Sequence, residues 1–452
     1  MKKKFAVFLF ILVAAYCFAS KTQKYVLKNG IPVYIKNDDS SRLTALYVVI
    51  KGGVEYLTPE TSGLEDATLS LMALGSEKFS YEDLKSFAYE TQGGFSNYSI
   101  NDGSVFGMTC IEKYFDKTFE RFSDCFFEPK FAEREYNLLM QDFKQSVASS
   151  MNEPAGMLSY YMKKIIYQNH IYEADTSVTQ DSVENITLIA IKNHYETLKD
   201  SRRISIVASG KLDSENVIKK LNEIFGVLPA RNSPLKSEKI PPLSITGAPV
   251  VLVQKNASGA GIALRSFVSP NVDSSDYPVA RVASNIFSDV LFNVVREKYG
   301  ICYTPSSSVS SSDAAFGCDM FYRITDFEKL PEAYKEAVSF MEKGTLISGK
   351  NKDGSYATDS LESRLQGYKN SYINNKYSTQ ATVGGVASRM AASLLQFGDI
   401  DSADNLTEIV KKCTAEDVLR VFKKYWQSGT CRWFAVVGTE SEEEAEKILS
   451  EL

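Results

Sequence analysis

One helix of this chain, predicted over residues 62–76, has the spacing of a metal site without its ligands. Asp66, Leu69 and Ser70 lie at positions i, i+3 and i+4, which share one face of a helix. A catalytic zinc site needs about three nitrogen, sulfur or carboxylate ligands and an open position for water. This face offers one carboxylate, one isobutyl group and one hydroxyl, so it would hold zinc weakly and has no base at Leu69. From the residues alone, an ordinary amphipathic core helix explains the segment equally well.

The segment resembles the signature helix of the insulinase-like M16 peptidases, Gly-Leu-Ala-His-x-x-Glu-His-Met-x-Phe-x-Gly-Thr. In that family two histidines bind zinc, and the glutamate between them activates water. The alignment places Asp66 and Ser70 at the two histidine positions and Leu69 at the glutamate. The family's third ligand, an acid in a later helix, corresponds to Asp142. The resemblance therefore implies that this chain binds no zinc and that these four positions are degenerate.

A second segment carries Arg296 and Tyr303, which stand seven residues apart and are called the Arg-Tyr pair below. The sequence predicts a helix over 285–299 that stops at Gly300, followed by a strand that carries the tyrosine. The segment resembles the Leu-Arg-Glu-Lys-x-Gly-Leu-x-Tyr motif of M16 peptidases, whose arginine and tyrosine contact the substrate backbone and the reacting carbonyl. A guanidinium and a phenol can meet the charge of a tetrahedral intermediate. The alternative is that Arg296 complements the helix end while Tyr303 fills core.

Two further features bear on binding. Residues 93–104 begin with two glycines and resemble the family's Gly-Gly-x-x-Asn-Ala-x-Thr strand, which takes substrate by β-addition in active members; a bulge or turn is the alternative. The chain has two histidines, His170 and His194, and neither is interpreted as a metal ligand. A carboxylate site of Glu65, Asp66 and Asp142 is a third possibility, which would suit magnesium or calcium better than zinc.

The order of predicted elements repeats along the chain. Each half begins with alternating strands and ends with a helix, a buried strand, a glycine and a helix. The predicted organisation is a signal peptide (1–20), an N-terminal domain (21–228), a proline-bearing linker (229–249) and a C-terminal domain (250–452). The fold class is α+β, with two homologous M16-type halves, each an antiparallel sheet with helices packed on one face, which form a clamshell.

The first twenty residues have a basic start and a short apolar run, as in a secretory signal peptide. We therefore expect export to a periplasmic or extracellular location, with Cys17 as an alternative site for a lipid anchor. Removal of Lys2, Lys3 and Lys4 with this segment changes the formal net charge from −5 to −8. Nothing in this composition suggests a nucleic-acid partner, and no later stretch has the length of a membrane span. Export makes disulfides between the six remaining cysteines possible.

The resemblance implies a division of labour, because some M16 members divide the zinc motif and the Arg-Tyr motif between two chains. This sequence has lost the first motif and keeps the second. We expect a heterodimer with a His-x-x-Glu-His-bearing M16 subunit, which would hold the zinc, while Arg296 and Tyr303 would bind peptide substrate in trans. This chain alone would not be a peptidase. The alternative is a pseudo-peptidase that binds peptides or scaffolds an assembly without hydrolysis.

Overall fold

The computed structural model describes residues 22–233, 235, 240–312 and 314–452. The predicted signal peptide, with its possible anchor at Cys17, lies outside these residues. Within the described ranges, none of the helices combines the length and the apolar character needed to span a bilayer. The six cysteines of this part of the chain are all free thiols.

Groups of strands are followed by groups of helices in the first half, apart from short 3₁₀ turns. The elements are β1 (Gln23–Val26), β2 (Pro32–Asn37), β3 (Leu43–Lys51), α1 (Leu64–Met72), α2 (Tyr81–Thr91), β4 (Gly94–Ile100), β5 (Gly103–Ile111), α3 (Phe115–Phe127), α4 (Glu133–Asn152), α5 (Pro154–Ile166), α6 (Leu188–Leu198), β6 (Ile204–Gly210) and α7 (Ser214–Ile224).

The second half repeats this order and adds a hairpin and further helices. The elements are β7 (Val250–Val253), β8 (Gly261–Val268), α8 (Asp276–Leu291), a π-helical segment (Phe292–Lys298), β9 (Cys302–Val309), β10 (Phe316–Ile324), α9 (Leu330–Glu342), β11 (Thr345–Lys350), β12 (Tyr356–Ser360), α10 (Leu361–Thr379), α11 (Val383–Phe397), α12 (Ser402–Lys412), α13 (Ala415–Trp426), β13 (Cys431–Val437) and α14 (Glu442–Ser450).

The two main sheets have the same topology over five strands, and the first sheet has β1 as an additional edge strand. The first has the strand order β1-β2-β6-β3-β5-β4, and the second has the order β7-β13-β8-β10-β9. In each sheet one pair is parallel, β2 with β6 and β7 with β13, and the other pairs are antiparallel. By this order β4 and β9 are equivalent edge strands. The repeated pattern of the sequence therefore corresponds to a repeated sheet.

Both faces of the central strands are buried, and the second face is covered by the other half of the chain. Along β3, Leu46 and Val48 pack with the helices of the first half, whereas Tyr47 and Val49 pack against α11 of the second half. Reciprocally, β8 and β13 of the second sheet contact α5 of the first half. The near-continuous apolar runs of these strands follow from burial on two faces. The sequence predicted helices on one face of each sheet; the exchange of helices between the halves is an addition to that prediction.

Candidate substrate-binding site

The predicted degenerate face of α1 is closed by a side chain from the edge strand β4. Asn97 Nδ2 donates to Asp66 Oδ1 at 3.2 Å and to Ser70 Oγ at 3.1 Å. Burial raises the pKa of Asp66, and the Asn97 bond offsets part of that effect. One amide thus satisfies both polar groups that stand at the family's histidine positions, and it joins α1 to β4.

The other two positions do not complete a metal site. Leu69 has 0% exposure and packs in the core of the first half, so its place on the helix is filled by apolar contacts. Asp142 lies on the exposed side of α4. Across the described ranges, no group of three or more His, Cys, Asp or Glu side chains could hold a metal ion. The donor set at α1 does not fit zinc, which requires about three strong ligands.

Glu65, the neighbouring carboxylate of α1, is held in a buried ionic cluster. Its Oε2 accepts a hydrogen bond from Arg203 Nη2 at 2.8 Å and lies 3.2 Å from His194 Nε2. Burial favours the neutral acid, but His194 and the charge of Arg203 outweigh it and hold the pKa of Glu65 below its usual range. The Arg203 guanidinium also stacks 3.8 Å from the centre of the Tyr56 ring. Glu65 and His194 therefore contribute to packing between α1, α6 and β6, and not to the face that carries Asp66.

The structure brings the two members of the Arg-Tyr pair together. The predicted helix ends in the π-helical segment, and Gly300, with φ of +69°, turns the chain into β9. This turn places the Arg296 guanidinium carbon 5.0 Å from the centre of the Tyr303 ring. Phe292, one helical turn before Arg296, flanks the guanidinium at 4.6 Å. A π-helical segment is rare and is found frequently at functional sites.

The pair is accessible to a ligand. The Tyr303 residue is 62% exposed, and the Arg296 side chain is 37% exposed. Arg296 has an ionic neighbour in its own segment, since its Nε lies 3.3 Å from Glu297 Oε1. Two aromatic rings, those of Phe292 and Tyr303, lie within 5.0 Å of the guanidinium carbon and attract it by cation–π interaction. The arrangement provides a guanidinium and a phenol beside an exposed strand edge.

A buried polar network supports the strand that carries Tyr303. Asp319 of β10 has 0% exposure and accepts hydrogen bonds from Ser307 of β9 at 2.6 Å, Tyr334 at 2.8 Å and Trp426 at 3.1 Å. Arg265 of β8 lies 3.4 Å from the same carboxylate. Burial raises the pKa of Asp319 despite these partners. The network ties the edge strand to two neighbouring strands and two helices.

A cavity of about 450 Å³ lies between the two halves. Its lining includes the end of β4, the segment after α5 and the turn between β9 and β10, and its Lys163 and Asp175 form an ion pair of 2.7 Å. Seven residues separate Tyr303 from Ser310 at the cavity wall, about 23 Å along an extended strand. The cavity is therefore distinct from the Arg-Tyr pair, which lies at the other end of β9.

Comparison with known families places both motifs in matched regions. The family model described as "Insulinase (Peptidase family M16)" matches residues 32–180, and that described as "Peptidase M16 inactive domain" matches residues 185–345. The chain belongs to the M16 peptidase family. The degenerate helix α1 lies in the first match, and the Arg-Tyr pair lies in the second. This confirms the family resemblance that the two motifs indicate.

Curated M16 relatives are about one fifth identical to this chain over the aligned residues. It is 23% identical over 239 residues to the insulin-degrading enzyme homolog of Dictyostelium discoideum, a match that covers 51% of this chain and 24% of that protein. It is 20% identical over 333 residues to the uncharacterized zinc protease YmxG of Bacillus subtilis, with 72% and 80% coverage. The chain thus spans about a quarter of the first relative's length and most of the second's.

Solved structures confirm the predicted α+β clamshell of two M16-type halves. A protease from Helicobacter pylori has a TM-score of 0.79 at 17% identity, covering 93% of this chain and 100% of that one. A peptidase M16 inactive domain from Pseudomonas fluorescens has a TM-score of 0.76 at 15% identity, covering 92% and 98%. At such identities the likeness concerns the fold.

The sequence motifs did not predict two residues that contribute to the site, Asn97 and Phe292. Asn97 lies in the strand segment that resembles the family, but its bonds to Asp66 and Ser70 depend on the approach of β4 to α1. Phe292 precedes Arg296 by four residues, and on a helix that spacing is a recognisable signal for a ring beside a guanidinium.

Proposed function

We propose that this chain is the zinc-lacking subunit of a heterodimeric M16 metalloendopeptidase and that it supplies the Arg-Tyr pair to its partner's site. The partner would carry the His-x-x-Glu-His helix and the zinc. The complex would enclose short peptides, and it would act outside the cytoplasm if residues 1–20 are a signal peptide. Named relatives in the family include proteins described as a zinc protease and as a probable mitochondrial-processing peptidase subunit.

The observation that carries this proposal is the unequal condition of the two motifs. On α1 the metal-ligand positions are bridged by Asn97 and the base position is filled by Leu69. In the π-helical segment and β9, in contrast, Arg296 and Tyr303 are in contact and exposed, and the Phe292 ring flanks the guanidinium. A chain that had lost all peptide chemistry would not be expected to keep an exposed guanidinium in a restricted position, because ordering such a side chain costs conformational entropy.

The geometry suggests separate tasks for the two side chains. Arg296 would bind a backbone carbonyl of the peptide with its planar donors and would orient the bond to be cleaved. The phenol of Tyr303 would donate to the carbonyl oxygen and stabilise the negative charge that develops on it. Edge strand β9, held by the Asp319 network, would fix the phenol. The partner's metal would supply the activation of water.

The test is zinc content and peptidase activity of the purified chain, alone and mixed with a candidate His-x-x-Glu-His partner. A complementing subunit would be zinc-free and inactive alone but required for activity in the mixture. Arg296→Ala should preserve folding and association, and it should lower hydrolysis by the mixture by a factor on the order of 10², the cost of misplacing the bond to be cleaved.

Three other results would point elsewhere. Activity of the chain alone would mean that α1 is wrongly interpreted. Unchanged turnover with Arg296→Ala would refute the role of the pair. Inactivity of every mixture would favour the alternative of a pseudo-peptidase with a binding or scaffold role.

A further inference from the structure

Arg323 is placed opposite Tyr303 by the register of β9 and β10. The pairs on either side are Tyr322 with Thr304 and Ile324 with Cys302, so the backbone of Arg323 lies across from that of Tyr303, although these two residues do not themselves form a ladder pair. The Arg323 backbone therefore lies beside that of Tyr303, whose ring Arg296 contacts.

The backbone of Arg323 has an unusual conformation. Its φ is +60°, in the left-handed region, where side chains other than those of glycine, asparagine and aspartate are uncommon. The residue occupies a β-bulge, because the register of β10 against β8 shifts between Tyr322 and Ile324. Bulges are frequent near active sites, where they redirect a side chain. Glycine would adopt this conformation without steric cost, so the arginine is not explained by the turn itself.

Within the part of the chain that the structure describes, Arg323 is exposed and no hydrogen bond or ion pair is formed by its guanidinium. Arg296 differs, since Glu297 is its neighbour at 3.3 Å. The hydrogen-bond donors of the arginine at the bulge are therefore open to a ligand. Its planar donors match a carboxylate in two parallel hydrogen bonds, which lysine cannot form.

We infer that Arg323 is a specificity residue that binds a carboxylate of the peptide held by the Arg-Tyr pair. The inference rests on the proposed function, and it names the substrate class as peptides with an acidic side chain, or a free C-terminus, near the bond to be cleaved. Arg296 and Tyr303 contact the backbone, which all peptides share, whereas Arg323 distinguishes among them.

The test is binding of three fluorescent peptides to the purified chain, measured by anisotropy. The peptides share one sequence: the first has a central Glu and an amidated C-terminus, the second has Gln and an amidated C-terminus, and the third has Gln and a free C-terminal carboxylate. We expect the unaltered chain to bind one of the two carboxylate peptides about tenfold or more tightly than the neutral one, since charge-assisted hydrogen bonds are worth that factor or more. Which of the two gains affinity identifies the source of the carboxylate.

Two variants and a control separate this inference from a structural role. Arg323→Gln should reduce the affinity ratio to about one, and Arg323→Gly should do the same while keeping or raising the melting temperature, because glycine relieves the backbone conformation. Arg42→Gln, which alters an exposed arginine of the first half, should leave the ratio unchanged. A lower melting temperature for Arg323→Gly together with an unchanged ratio would assign the arginine a structural role and overturn the inference.

Failure of the inference and failure of the proposed function give different results. If Arg296→Ala weakens binding of all three peptides but Arg323→Gln leaves their ratio intact, the Arg-Tyr pair binds peptide and Arg323 is not a specificity residue. If Arg296→Ala affects none of the peptides that the unaltered chain binds, the Arg-Tyr pair does not bind peptide, and the proposed function is refuted together with the inference. If the unaltered chain binds none of the peptides, the inference is overturned, whereas the proposed function is decided by the activity of the mixture with the partner.

Discussion

Leu69 stands at the position of the family's catalytic base, and the change Leu69→Glu tests whether this position is closed to water. The side chain has 0% exposure and packs in the core of the first half. Burial of a leucine stabilises a protein by about 1.5–3 kcal/mol, and a buried amide or carboxyl without a partner costs about 1–3 kcal/mol more. Leu69→Gln, the neutral control, should therefore destabilise the chain by about 3–6 kcal/mol.

The charge of glutamate adds a cost that depends on pH. Burial would raise the folded-state pKa of the new carboxyl above its unfolded value of about 4.3. If the folded-state pKa reaches about 7 or more, the need to protonate this carboxyl on folding lowers the free energy of unfolding at pH 7 by up to about 4 kcal/mol, at 1.36 kcal/mol per pKa unit. A raised folded pKa gives stability that is fully present below the unfolded pKa and is lost as the pH rises. The two variants should therefore be equally stable near pH 4 and should diverge towards pH 7.

The assay is thermal unfolding followed by circular dichroism at pH 4 and pH 7. For a unit of about 200 residues, 1 kcal/mol corresponds to roughly 2–4 °C, so Leu69→Glu should melt about 5–15 °C below Leu69→Gln at pH 7. Leu69→Met, which preserves volume, should remain close to the unaltered chain. Equal melting temperatures for the Glu and Gln variants at pH 7 would show that water reaches position 69, and the conclusion that this position is closed to water would be wrong.

Three further changes test the surroundings of the site. Asp319→Leu leaves Arg265 charged and buried, so urea unfolding should show a loss of about 3–5 kcal/mol in the free energy of unfolding. The added change Arg265→Met should recover most of this loss. An unchanged stability of Asp319→Leu alone would contradict the network. Burial raises the pKa of Asp66, so the ionised carboxylate destabilises the fold at pH values above the unfolded pKa. Asp66→Asn should therefore raise the melting temperature at pH 7 but not near pH 3. A lower melting temperature at pH 7 would indicate an unrecognised cation beside Asp66. Phe292→Ala removes one ring beside the Arg296 guanidinium, and such a cation–π contact contributes about 0.5–1 kcal/mol at an exposed position. Hydrolysis by the assembled complex should therefore fall by a factor of about 2–5 and recover in Phe292→Tyr. Full activity of Phe292→Ala would refute a positioning role for this ring.

Local sequence determined the elements and the family. The capping residues give a direct example: Thr414 and Asp417 predict the start of α13, and the structure has both bonds of the capping box there. Gly300 predicts the end of the helix before β9 and has the positive φ that this ending requires. The loss of ligands at Asp66, Leu69 and Ser70 is also local, since residue types at helical spacing decide it. These features depend on neighbours within one or two turns, so the local sequence is sufficient to predict them.

The closure of the degenerate α1 face and the composition of the candidate substrate-binding site were decided by tertiary structure. Asn97 reaches Asp66 and Ser70 only because strand β4 crosses helix α1, and the periodicity of the sequence does not predict that contact. Arg323 lies opposite Tyr303 through the register of two strands, and register depends on how the whole sheet packs. The second layer on each sheet likewise comes from the other half of the chain. Sequence spacing determines which residues share a helix or strand, whereas contacts between distant segments follow from the packing of both halves.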